Sequence, residues 1–393
     1  MVKALYVIKN LGIGKSTLYL ILYPFRFLRD IVKKLDDLHD EIRWHKKISG
    51  YLKLTGLHRQ TQKNPDVYSE AKEYFKQYGF DLNTDWIHFY EHLSGIKSKY
   101  YIPEDLYYRQ IEPHLINTKL LRFYGDKNMY DLFFDDINKP QTFLRYLDDT
   151  FYSPDYTPLQ LSPAAYQLSG ISKPWLIKPS VETGNGRNIH RGRSQNGKLI
   201  VDGVITSLTK LAEFYPSGFI IQERIKRQNR TLEQFHPESL NTFRIMTLRL
   251  NNQIHTINNQ LKFGIHSNVA DNGGVWCGLN DNGLLHPFGM NTSYKKIYFH
   301  PDSGQKFDGT QIEDFNRVLE FAKALHKRVV RTDLVSWDIG FSESNEPIFI
   351  ECNTRYQGIT AHQVVNGPLF NDFTDEVMAE VIKRREKTDQ SRT

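Results

Sequence analysis

The stretch WDIGFSESNEPIFIECNTR, Trp337–Arg355, reads as two short strands joined by a polar turn, Ser342 to Glu346. On the first strand Asp338 shares a face with Ser336 and Gly340. Strict alternation on the second puts Phe349, Glu351 and Asn353 on one face and Ile348, Ile350 and Cys352 on the other. Two carboxylates and a carboxamide, all hard oxygen donors, then meet across one hairpin. Magnesium suits such a set, completed by nucleotide phosphates and water. A surface hairpin with scattered polar residues would look the same, so the rest of the chain has to decide.

With 393 residues the chain exceeds one ordinary domain, and two or three lobes are expected. Hydrophobic content of 39% with 13% aromatics supports a sizeable core and argues against global disorder. A formal net charge of +6 favours anionic ligands such as nucleotide phosphates. It comes without the dense basic blocks of a nucleic-acid binder, and no nucleic-acid partner is expected. Cys277 and Cys352 match no zinc spacing, so a disulfide scaffold is not expected and a reducing, cytoplasmic setting fits. Cys352 points away from the proposed metal and reads as core. No stretch is long enough to span a bilayer, and the apolar run Leu18 to Leu28 is broken by Pro24. No small-residue cleavage site follows it, so a signal peptide is not expected. Residues 16–34, with Tyr, Phe and Leu beside Arg26, Arg29, Lys33 and Lys34, have the make-up of a segment lying at the inner membrane face. Packing on the rest of the protein explains them equally well.

Residues 1–115 read as a helical N-terminal region. Leu28, Ile31, Val32, Leu35, Leu38, Ile42 and Trp44 recur at near-helical spacing with charges opposite. Further helices are expected over Ser69 to Phe80, ended by Gly79, and Asp85 to Ile96. Past Leu120 short β-rich runs alternate with helices: Trp175 to Lys178, Lys198 to Val201, Gly218 to Gln222, Thr242 to Leu250, Gln253 to Asn258 and Ser336 to Phe341. Asn251-Asn252 forms a tight turn, because Asn tolerates left-handed backbone angles. Thr310 and Glu313 make a capping box. The helix it opens carries Ile312, Phe315, Leu319, Ala322, Leu325 and Val329 on one face. The expected division is residues 116–225 for a first α+β lobe, 226–385 for a second with the metal hairpin, and a charged tail from 386 to 393.

Gly14-Lys15-Ser16 resembles the end of a phosphate loop, but position 9, where the first glycine is needed, is Lys9, and coincidence is the better reading. LIKPSVETGNGRNIH, Leu176–His190, is stronger. Lys178 ends an apolar strand, where an ammonium is costly without a negative partner. Gly184, Asn185 and Gly186 follow, letting backbone N–H groups approach phosphate oxygens. In GFIIQERI, Gly218–Ile225, an apolar strand emerges into a hinge of the kind that frames an adenine ring. In SLNTFRIMTLRL, Ser239–Leu250, Arg244 interrupts an apolar strand, where arginine serves bidentate recognition of carboxylate or phosphate, or a structural salt bridge. Asn268 and the run Asp271 to Gly274 form a polar loop before the hairpin, and Lys127 precedes the apolar Met129 to Phe134.

In this order the chain resembles the ATP-grasp ligases, and Glu351-x-Asn353 thirteen residues after Asp338 resembles their metal signature. The wording IKPS…GNGR…QERI…LNTFRI…NGG…WDIGF…ECNTR is similar to the sugar-transfer-associated ATP-grasp family of bacterial surface-polysaccharide clusters, over roughly Leu120 to Arg385. The resemblance implies an α+β fold of two lobes clamping ATP, with Lys127 and Lys178 on its phosphates. Gln222, Glu223, Arg224 and Ile225 would frame the adenine, and Asp338, Glu351 and Asn353 would hold Mg2+. It further implies an ADP-forming carboxylate–amine ligase working through an acyl phosphate, with small-molecule or glycan substrates and a lid carrying Lys178. A kinase-like transfer on the same fold, or a nucleotide-binding component of a glycan assembly complex, are the alternatives. Two departures stand out. Many ATP-grasp ligases carry arginine where Ser336 stands, a role left to Arg244 or Arg331. Many also show Pro then Gly after Glu-x-Asn, where this chain has Arg355, Tyr356, Gln357 and Gly358.

Overall fold

The computed structural model describes residues 26–59, 65–181, 188–225, 229–266, 274–342 and 344–390. Met1–Arg59 and Gln60–Thr393 form two separate units. In the first, helix α1 (Arg26–Leu54) leads into a turn, Leu57–Arg59. Its buried stripe is Trp44, Ile48 and Leu52, one residue per turn, whereas Leu38 and Ile42 are about half exposed at 52% and 47%. The apolar face expected further upstream therefore moves toward the helix C-terminus. Among the described residues no helix is long and apolar enough to cross a membrane. Most of the run 16–34, and Gly14-Lys15-Ser16, lie outside the described residues.

The second unit opens with helices α2 (Pro65–Lys76), which starts and ends four residues before the expected Ser69 to Phe80, and α3 (Thr84–Ser94), within two residues of the expected Asp85 to Ile96. Asn83 caps α3 by accepting from the Asp85 N–H, and Gly95 ends it in the left-handed region at φ 80°. An eight-stranded antiparallel sheet follows. Its strands are β1 (Thr142–Leu147), β2 (Thr150–Tyr152), β3 (Pro158–Leu159), β4 (Trp175–Pro179), β5 (His190–Gln195), β6 (Lys198–Val201), β7 (Val204–Thr206) and β8 (Phe219–Glu223). Two-residue turns make its hairpins: Asp148-Asp149, Asn196-Gly197 and Asp202-Gly203 all take positive φ, as hairpins of this hand require. Apolar β8 does not extend the meander but inserts between β1 and β4, giving the order β3-β2-β1-β8-β4-β5-β6-β7. Helices α4 (Leu161–Ser169) and α5 (Leu208–Phe214) bury one face around Phe143, Trp175, Ile177, Phe219 and Ile221. Gly192 on β5 is required there, since a Cβ would lie 1.8 Å from the Trp175 ring.

The second sheet has seven antiparallel strands: β9 (Thr242–Leu250), β10 (Gln253–Phe263), β11 (Val275–Leu279), β12 (Leu285–Asn291), β13 (Lys296–Ile297), β14 (Leu334–Phe341) and β15 (Pro347–Asn353). Its order is β13-β12-β11-β10-β9-β14-β15. Asn251 and Asn252 make the β9–β10 turn with φ 50° and 62°, as expected. Strand β10 runs five residues past the expected end at Asn258, reaching Phe263. Helix α6 (Phe315–Arg328) covers one face, and Ile312, Phe315, Leu319, Ala322, Leu325 and Val329 are all buried in that core. The capping box is not formed. Asp314 in the left-handed region (φ 59°) precedes the helix without a side-chain cap, and the Thr310 hydroxyl donates instead to the Lys306 carbonyl at 2.7 Å. On the opposite face α7 (Ile359–Asn366) lies along β10, β11 and β12, and α8 (Thr374–Gln390) follows.

Candidate active site

Trp175 and Ile177 on β4 point into the core, so alternation puts Lys178 on the other face, beside Gln222 of β8. Lys178 is buried, and its ammonium has one hydrogen-bond partner among the described residues, Gln222 Oε1 at 3.4 Å. Burial first, then the charge of Lys127, pushes its pKa down to about 8, against the opposing pull of Glu351. Lys127 arrives from a turn tied to β4: its N–H donates to the Ser180 carbonyl at 2.8 Å, and Asp126 accepts from the Ser180 hydroxyl at 2.5 Å. From there its Nζ crosses to the second sheet and donates to Glu351 Oε1 at 2.6 Å. Two buried lysines thus converge on one carboxylate at the junction of the sheets.

Register across the second sheet aligns a row of polar residues. Glu351 pairs with Asp338, Asp338 with Arg244, and Arg244 with Gln260, on four adjacent strands. Arg244 grips Asp338 bidentately, Nε to Oδ1 and Nη2 to Oδ2 at 2.8 Å, and Lys262 Nζ stands 3.9 Å from Oδ2. Burial alone would raise the Asp338 pKa, but Arg244 and Lys262, with Lys127 beyond, hold it below the usual carboxylate range. His362 of α7 is fully buried over this row, and burial followed by the Arg244 charge pushes its pKa down to about 3. The neutral ring donates Nδ1–H to Asn258 Oδ1 at 2.9 Å and takes the Gln260 amide on Nε2 at 3.3 Å. A second row, Asn353, Ser336, Met246 and Asn258, runs parallel to the first. In it Asn353 Nδ2 and Ser336 Oγ are buried with no hydrogen-bond partner among the described residues.

The hairpin differs from strict alternation in one respect. A bulge between Asp338 and Ile339 pairs Asp338 with Glu351 but Ile339 with Phe349. Phe349 therefore joins the core with Cys352 and Trp337, while Glu351 and Asn353 keep the polar face. Asp338, Glu351 and Asn353 do come together, and their oxygen donors fit magnesium by chemistry. Both carboxylates are engaged by cations in this arrangement. Among the described residues no group of three His, Cys, Asp or Glu side chains is disposed to hold a metal ion, so any such site draws on the Asn353 carboxamide and on ligand oxygens.

At the hinge, the Glu223 and Arg224 N–H groups already donate to Gln141 and Pro174 carbonyls at 2.8 and 3.0 Å. Their side chains pair with Lys173 and Glu238, at 2.7 and 3.3 Å. Gln222 faces Lys178, and Ile225 follows the strand without a partner strand of its own. Arg331 sits exposed in the turn before β14 with φ 58°, and nothing among the described residues connects it to the cluster. Gly184, Asn185, Gly186 and Asn268, with Asp271 to Gly273, lie outside the described residues. Lys262 and His362 escape the sequence reading. Lys262 is legible only once β10 is extended past Asn258, which puts Asn258, Gln260 and Lys262 on one face.

Two antiparallel sheets meeting at buried lysines and a polar hairpin make this an ATP-grasp protein. A family model described as sugar-transfer associated ATP-grasp matches residues 165–378, and the chain belongs to that family. Among solved structures it is similar to an L-amino acid ligase from Bacillus licheniformis, at 13% identity over 67% of this chain and 48% of that one, with a TM-score of 0.38. It is also similar to a D-alanine–D-alanine ligase from Bacillus anthracis, at 12% identity over 69% and 70% of the two chains, TM-score 0.36. A D-cycloserine synthetase gives 10% identity over 69% and 73%, TM-score 0.37. The matched part thus spans about half of the first of these proteins. No curated protein sequence matches.

Proposed function

We propose that the chain is an ATP- and magnesium-dependent ligase that joins a carboxylate to an amine through an acyl phosphate, releasing ADP and phosphate. Its substrates on this reading are a cell-surface polysaccharide or precursor and an amino acid or related amine. The observation that carries the reading is Lys178, whose buried ammonium lies near Lys127 and has no carboxylate hydrogen-bonded to it among the described residues. A site that spends free energy to hold a cation out of water is prepared for an anion.

Lys178 and Lys127 bind the nucleotide phosphates, and Lys127 exchanges Glu351 for a phosphate oxygen. Arg244 faces the acyl phosphate and offsets its charge, a role for which Arg331 is poorly placed. Gln222 orients the Lys178 ammonium, and the chain from Glu223 to Ile225 borders the adenine. Gly184 and Gly186 are assigned to the phosphates, and Asn268 to the catalytic set, from the sequence alone. Asp338, Glu351 and Asn353 would hold magnesium, which when bound neutralises charge on the phosphoryl group in transfer. Catalysis is then mostly positioning and electrostatics, with no side-chain nucleophile. The test is to incubate the protein with ATP, magnesium, pooled uronic sugars and amino acids, and to resolve products by mass. A new amide with ADP supports the reading, while a stable phosphorylated sugar as the sole product replaces it with a kinase.

A further inference from the structure

Between Asn353 and α7 runs Thr354 to Gly358, and residues far away in sequence hold it from behind. Glu112 Oε1 accepts the Tyr356 N–H at 2.8 Å. The Tyr107 hydroxyl donates to Gln357 Oε1 at 2.8 Å, and the Gly358 N–H reaches the Tyr108 hydroxyl at 3.4 Å. Tyr356 is held in the left-handed region, φ 54°, which a bulky side chain adopts only against about 1–3 kcal/mol of strain. The strained residue does not fill the core. Tyr356 is 57% exposed, its ring lies 5.4 Å from the Tyr108 ring, and the Arg355 guanidinium lies 4.5 Å from its centroid. Gln357 is fully buried, yet its Nε2 has no partner among the described residues.

Exposed tyrosines are ordinary on protein surfaces. Here three features coincide three residues after Asn353: a strained backbone, a presented aromatic–arginine pair and a turn held from behind. We infer that Arg355 and Tyr356, braced by Gln357, Tyr107, Tyr108 and Glu112, form a subsite for a sugar acid, the carboxylate-bearing substrate of the ligase reading on which this rests. The C–H face of a pyranose ring covers Tyr356, since an aromatic ring offers an apolar plane with a polar tip. The sugar carboxylate meets Arg355, whose planar fork suits it. Gln357, fully buried and held through its Oε1 by the Tyr107 hydroxyl, supports the turn from beneath without touching the sugar. Tyr107 to Glu112 precede the family-matched residues 165–378, so the brace comes from a part of the chain that the family pattern does not describe.

The test uses the full chain with a non-hydrolysable ATP analogue and magnesium, and reads ligand binding by saturation-transfer NMR. The probes are the methyl glycosides of glucuronic and galacturonic acid and of their neutral parent sugars. At least one uronoside should bind about 10-fold more tightly than its neutral parent. Tyr356→Asn, which keeps a residue tolerant of the left-handed region, should weaken both by 10-fold or more. Arg355→Gln should erase the preference for the acid. Both variants should keep the wild-type affinity for the ATP analogue, which also shows that they fold. An analogue-bound protein that takes up no uronoside, or variants that bind sugars as the wild type does, would overturn the subsite and leave the nucleotide site standing. A wild-type protein that binds no ATP analogue would instead overturn the ligase reading beneath it.

Discussion

Replacing Lys178 by methionine should stabilise the free protein and cripple nucleotide binding at once. The Lys178 pKa is pushed from its ordinary 10.5 down to about 8. At neutral pH that difference corresponds to about 3 kcal/mol held against folding by the buried ammonium. Methionine fills similar space without charge. It leaves Gln222 Oε1 without its donor, which costs about 1 kcal/mol, so a net gain of about 2 kcal/mol is expected. That is a rise of roughly 4 to 8 °C in Tm for a domain of this order of size. The sign follows from linkage. A lysine with a depressed folded pKa penalises folding below about pH 8, and the penalty fades as pH rises toward 10.5. The stabilisation by methionine should therefore be full at pH 7 and shrink above pH 8. Nucleotide affinity should fall about 10- to 100-fold, the worth of one charge-assisted hydrogen bond of about 1.5–3 kcal/mol. Thermal melts with and without a non-hydrolysable ATP analogue measure both effects. A lower Tm without nucleotide would mean that Lys178 is satisfied in the free protein, and the reasoning would fail.

Asp338→Asn should lower stability by about 3 kcal/mol as well as turnover, because it leaves the part-buried Arg244 without its counter-charge; normal melting and turnover would make the hairpin merely structural. Glu112→Gln should act with the opposite sign. Burial, against the Tyr356 hydrogen bond and Arg355, raises the Glu112 pKa from 4.5 to about 7, so wild type loses up to about 3 kcal/mol relative to the glutamine variant as pH rises between those values. The Tm difference should be near zero below pH 4.5 and maximal above pH 7, and a pH-independent difference would contradict it. Gly192→Ala should cut the denaturant midpoint by the equivalent of about 1–3 kcal/mol, since its methyl group would enter the Trp175 ring; an unchanged midpoint would show that β4 and β5 can part without loss.

Local pattern was enough for much of this fold. Thr242–Leu250 and Lys198–Val201 are strands with the boundaries their composition predicts, because apolar alternation and Asn or Gly turns are local signals. The family resemblance singled out Lys127 and Glu351, which are hydrogen-bonded in the structure, and Asp338, which pairs with Glu351 across the hairpin. Three features stayed illegible for physical reasons. The bulge that turns Phe349 inward is a single-residue shift between strands, invisible to a period-2 rule. The Thr310 hydroxyl donates to the Lys306 carbonyl instead of accepting from an N–H at a helix N-terminus, an outcome decided by the path of the chain. Glu112 meets Tyr356 across 244 residues, and no spacing rule reaches that far.

Transfer of oxygen from substrate to phosphate tests the proposed chemistry most directly. The protein would be incubated with ATP, magnesium, an amino-acid pool and uronic sugars carrying heavy oxygen in the carboxyl group, and the released phosphate weighed. An acyl-phosphate ligase must pass one carboxyl oxygen to phosphate when the amine attacks, so each amide formed should leave one singly labelled phosphate together with ADP. Label recovered in AMP with pyrophosphate, or amide formed alongside unlabelled phosphate, would contradict the account.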